Sequence, residues 1–114
     1  MNRIILALLC ALPAMQSSNA FDINDLVSAH YRCAALHDLK RLSEDEADIC
    51  ADLYEQMKLE FVDGVDWDAF KELADEDRSS VSQQGYLRFK AWERANAQLV
   101  RQLEDDALHA VEMN

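Results

Sequence analysis

A chain of 114 residues has room for one small domain. Its 22 acidic side chains outnumber 11 basic ones, for a net charge of −11. Such a surface repels phosphate backbones and anionic lipid headgroups, which disfavours nucleic acid and membrane surfaces and leaves cationic proteins, peptides or metal ions as the better-matched partners.

The first segment, Met1 to Ala20, has the form of a secretory leader: Arg3 as its only charge, an apolar run from Ile4 to Leu12, and small residues Ser18-Asn19-Ala20 before a cleavage point after Ala20. The run is too short to span a bilayer. Cys10 follows Leu9, which is too large for a lipid-attachment signal, so Cys10 is read as part of the leader. The working chain is then residues 21–114, exported to a periplasm or secreted, with no membrane anchor and with Cys33 and Cys50 as its cysteines.

That remainder has no proline and no threonine and only Gly64 and Gly85, while Ala, Leu, Glu, Asp and Gln abound. The composition predicts an all-α fold, a small antiparallel three- or four-helix bundle. The first helix is expected from Asp22 to Leu42, with Ile23, Leu26, Val27, His30, Cys33, Ala34 and His37 on one face and Lys40 and Arg41 in its last turn. Ser43 then caps a second helix in a capping box with Glu46, its apolar stripe running through Ala47, Cys50, Leu53, Tyr54, Met57 and Phe61 to a stop at Gly64. Asp66 caps a short third helix that buries Trp67, Phe70, Leu73 and Ala74. The Ser- and Gln-rich stretch Arg78 to Gly85 is expected to break or kink the chain. A fourth helix follows from Tyr86 to Val111, with Phe89, Trp92, Leu99, Val100, Leu103, Ala107, Ala110 and Val111 inward and Leu87 and Leu108 outward.

Cys33 and Cys50 lie about eight residues either side of the first turn, roughly 12 Å along each helix at 1.5 Å per residue. Both fall on apolar stripes, with Ala29, Ala34, Ala47 and Ala51 allowing close approach. An oxidising compartment, an even cysteine count and matched height together predict a disulfide that staples the N-terminal hairpin.

Few constellations suggest chemistry. His30, Cys33 and His37 share a wedge of the first helix, facing Cys50 and Met57, which makes a metal-binding carrier or sensor the alternative function. A disulfide removes both thiolates and leaves His30 and His37 alone, one expected in the hairpin core with a hydrogen bond and the other at its edge. No haem-attachment motif, paired Glu-x-x-His, EF-hand loop, phosphate-cradling glycine loop or Gly-x-Ser-x-Gly is present, so no cofactor and no catalytic residue is assigned. Ser79, Ser80 and Ser82 have no base paired to them by spacing. The expected function is a non-catalytic binding, adaptor or chaperone-like module with a basic protein or peptide partner.

Overall fold

The computed structural model describes residues 23–113. The expected leader, Cys10 and the cleavage point after Ala20 lie outside the described residues. The described chain forms five helices and no strand: α1 (Ile23–Asp38), α2 (Glu44–Leu59), α3 (Trp67–Glu72), α4 (Asp75–Ala95) and α5 (Ala97–Glu112). This is the all-α bundle that the composition implies, with the Cys33–Cys50 disulfide joining α1 to α2 across a Cα–Cα distance of 5.9 Å.

The first helix ends earlier than expected. Lys40 adopts φ 58°. Its N–H donates to His37 O, and the Arg41 N–H donates to Leu36 O, both at 2.9 Å. These two bonds around a left-handed residue form a Schellman motif, with lysine where glycine is usual. Lys40 and Arg41 therefore stand outside the helix. Arg41 instead donates from Nη1 to Val111 O at 2.8 Å, a cation at the carbonyl end of α5.

The cap of α2 follows its sequence. Ser43 Oγ accepts from the Glu46 N–H at 3.1 Å and Glu46 Oε1 accepts from the Ser43 N–H at 2.9 Å. These bonds hold the Glu46 carboxyl below the usual carboxylate range, because they favour its ionised form. Asp66 Oδ1 likewise accepts from the Ala69 N–H at 2.8 Å and opens α3, after Gly64 has turned the chain at φ +83°.

The expected break at Arg78 to Gly85 does not occur; α4 runs straight through it. Gly85 is buried against α2, and a Cβ there would meet Lys58 O at 2.7 Å. The glycine that looks like a breaker is what lets two helices approach. The chain instead leaves the helical region at Leu73 and Ala74, extended at ψ 151° and 154°, which separates α3 from α4, and at Asn96, whose φ is −124° and ψ 39°. Asn96 Nδ2 donates to Trp92 O at 2.8 Å while Val100 N–H donates to Asn96 O at 2.9 Å, so α4 and α5 join with a change of direction and no intervening loop. The expected fourth helix is thus two.

That change of direction sets the packing. α5 lies against α1, α1 against α2, and α2 against α4. Between them sits one core of Val27, Tyr31, Met57, Phe89, Val100 and Ala107, with Ile23, Leu26, Tyr54, Phe61, Trp92 and Leu103 packed around it. Val27 and Met57 are wholly excluded from solvent. Removing the Met57 side chain beyond Cβ costs about 2–5 kcal/mol by the usual large-to-small range. Leu87 and Leu108 point outward, as the stripe of the fourth helix predicts.

Candidate functional site

The residues singled out for metal chemistry are dispersed by the fold. Cys33 and Cys50 are consumed by the disulfide. Of the two histidines, His30 is the one in the hairpin core, where it is held by rings. It stacks on Tyr54 with centroids 4.7 Å apart and meets the edge of Phe89 at 5.8 Å. Burial lowers its pKa below 6.5, opposed by Glu93 and reinforced by Lys90 and Lys58. His37 stands in solvent, its side chain 80% exposed, 3.6 Å from Asp38. Met57 belongs to the sealed core. Among the described residues no three His, Cys, Asp or Glu side chains converge to hold a metal ion.

Two polar clusters escape the sequence pattern. Tyr31, absent from the expected face of α1, is buried and donates its hydroxyl to Glu93 Oε2 at 2.7 Å, 62 residues away. Lys90 pairs with the other oxygen of Glu93 at 2.6 Å. The desolvated phenol, beside the Glu93 charge, has its pKa pushed well above 10. In the second cluster Lys58 is buried at the α2–α4 crossing. Its Nζ donates to Ser82 Oγ at 2.6 Å, pairs with Glu55 Oε2 at 2.9 Å and lies 4.4 Å from the Tyr54 ring centroid. Ser82 in turn donates to Glu55 Oε1 at 2.8 Å. A lysine beside a serine resembles a nucleophile and its base. Here the nitrogen is committed to a carboxylate and the serine sits mid-helix, so the arrangement closes a polar crossing rather than exposing a reactive hydroxyl.

One concave surface runs along the α1–α2 hairpin. One cavity, of about 440 Å³, is lined by Leu26, Ala29, Leu53, Leu59, Val65 and Trp67, with Asp25, Glu60 and Asp66 also at its wall. Local sequence builds that wall. Leu26, Ala29 and Arg32 follow at three-residue steps along one face of α1. Gly64 reverses the chain, Asp66 caps α3, and the cap fixes Trp67 as the first helical residue, stacked on Phe70 at 5.7 Å. A second cavity, of about 480 Å³, continues toward the disulfide, where Cys33, Leu36, Arg41, Glu46, Ala110 and Val111 surround it. Ala29, Arg32 and Leu53 line both cavities, so the two form one groove. Each is within the range of about 300–1,000 Å³ typical of ligand sites. Arg32 has no hydrogen-bond or ion-pair partner among the described residues. The periodicity that places Leu26 and Leu53 inward gives no sign that a furrow would remain between them.

No helix among the described residues is long and apolar enough to cross a membrane. Comparison of the chain with known protein families, with characterised proteins and with solved structures finds no match.

Proposed function

We propose that this chain is a small exported binding module, without catalytic activity, that holds a peptide segment of basic and apolar character in the groove between α1 and α2. The observation that carries the reading is the make-up of that groove: apolar walls from Leu26, Leu53, Val65 and Trp67, with the acids Asp25, Glu60 and Asp66 beside them. Apolar walls supply contact area, and fixed charges at the margin supply selection and orientation. The net charge of −11 extends the same preference over the surface and steers cationic partners toward it. Export is supported by the leader-like Met1–Ala20 and by the Cys33–Cys50 disulfide, since such bonds persist in oxidising compartments.

Tryptophan fluorescence tests the reading directly. Trp67 lines the groove and Trp92 packs on the core, so a Lys/Leu-rich peptide that enters the groove shifts the emission of Trp67 alone. The shift is expected to saturate, to weaken with added salt, and to vanish in Trp67→Phe. Leu53→Asp, at a half-buried groove position, is expected to abolish binding measured by calorimetry. Absence of binding at both low and high salt overturns the proposal.

A further inference from the structure

The groove is charged differently at its two ends. Asp25, Glu60 and Asp66 surround the end beside Trp67. Arg32 and Arg41 stand at the end beside the disulfide, where they outnumber the single acid, Glu46. Arg41 spends one N–H on Val111 O at 2.8 Å. A guanidinium carries five donors, so Arg41 retains others, and Arg32 retains all of its own. In a chain with twice as many acids as bases, an arginine that has no partner among the described residues and stands beside apolar walls is available to receive an anion. Arg32 also occupies the junction of the two cavities, within reach of anything that lies in either.

The chemistry selects the anion. A phosphate or sulfate dianion would face Glu46 on one side and the three acids on the other. A carboxylate carries a single charge, and its two oxygens match the guanidinium fork in a bidentate pair. Leu36, Leu53, Ala29 and Ala110 next to the arginines suit an apolar side chain adjoining that carboxylate. Asp25 and Arg32 are seven residues apart on α1, about 10 Å along the helix axis. An extended peptide covers that distance in about three residues.

We infer that the groove takes the C-terminus of a peptide: the free α-carboxylate on Arg32, assisted by Arg41, a bulky apolar residue beside it, and a lysine or arginine about three positions earlier among Asp25, Glu60 and Asp66. This rests on the groove being the peptide site and adds the direction and end of the ligand.

The test uses N-acetylated hexapeptides with a C-terminal leucine and a lysine three positions before it, as free acid and as amide, titrated into the oxidised protein and followed by calorimetry and Trp67 emission. The free acid is expected to bind at least about tenfold more tightly than the amide, as for loss of a charge-assisted bidentate pair. Arg32→Gln should reduce that ratio to within twofold. Arg32→Lys should keep part of it, because it retains charge without the fork. Replacing the peptide lysine by norleucine should weaken binding to the wild type, and Glu60→Gln should shrink that loss. Arg32 and Glu60 are exposed, and unchanged circular dichroism of their variants confirms that the fold is intact. Equal binding of acid and amide overturns this inference and leaves the peptide groove standing. Failure of both peptides to bind overturns both.

Discussion

The α-carbon of Gly85 lies so close to the carbonyl oxygen of Lys58 that a methyl group on it would stand 2.7 Å from that oxygen and 3.0 Å from Lys58 Cβ. The oxygen is backbone and cannot rotate aside. Gly85→Ala should therefore destabilise the fold by about 1–3 kcal/mol through overpacking, outweighing the roughly 1 kcal/mol gain in helix propensity. Urea denaturation of the variant, with the exposed Gln84→Ala as control, measures the balance. A stabilised Gly85→Ala would mean that α2 and α4 can part without loss.

The disulfide closes a loop with a sequence separation of 17. The chain-entropy account gives it about 3 kcal/mol for a loop of this size. Cys33→Ser with Cys50→Ser, or dithiothreitol on the wild type, should lower the unfolding free energy from urea denaturation by a matching amount. Agreement of the two values separates loss of the crosslink from damage by the substitutions.

Lys40 carries a side chain in a conformation that glycine adopts without penalty. Lys40→Gly should stabilise the protein by up to about 1 kcal/mol, the steric relief exceeding the extra flexibility of the unfolded chain. Thermal melts of the two proteins at equal concentration decide it, and a lower melting temperature for the variant refutes it.

Acid should act first through His30. Its folded pKa lies below its unfolded 6.5, because burial between Tyr54 and Phe89 disfavours the imidazolium. The unfolded chain therefore binds the proton first, and stability falls as pH drops below 6.5 until the folded pKa is passed. Glu93 faces the ring and moderates this, while Lys90 and Lys58 sharpen it. Glu46 acts in a lower window: its folded pKa is below 4.5, so its contribution persists above 4.5 and is lost on further acidification. Denaturation at intervals from pH 7.5 to 5 should show a decline in the wild type that His30→Gln removes.

Alkali acts on Tyr31. Its folded pKa is raised by burial first and then by Glu93, so the neutral phenol stabilises the fold fully below pH 10 and loses that contribution as pH rises beyond it. Tyr31→Phe should flatten the alkaline decline. At pH 7 it should cost about 1.5 kcal/mol for the lost bond to the carboxylate. An unaltered alkaline limb would place the sensitivity elsewhere.

What the sequence made legible was local. Ser43 with Glu46, and Asp66 before α3, announce their caps because the donors they satisfy are three residues away. Cys33 and Cys50 could be paired because they flank one turn at equal height. Long-range partners have no such mark. Tyr31 looks like a flank residue until Glu93 is brought to it. Ser82 and Gly85 lower helix propensity, yet one bonds Lys58 and Glu55 and the other admits α2, and tertiary packing overrides a penalty of about 1 kcal/mol. Asn96 carried a usable sign, since asparagine favours helix starts, but the apolar stripe continues in phase on both sides and conceals the break. The groove was hidden for a related reason: periodicity reports which face is apolar, not whether the facing helices close over it.

The turn at Asn96 also orders events in time. α1 is the first described helix and α5 the last, yet they lie side by side. While a chain is being made, the hairpin of α1 and α2 can close and oxidise early, and α4 can bring Phe89 and Glu93 to it, but the part of the α1 face that Val100 and Ala107 cover stays open until the chain beyond Asn96 arrives. A nascent chain halted before Asn96 therefore presents an apolar face that chaperones and proteases can read, and docking of α5 is what removes it.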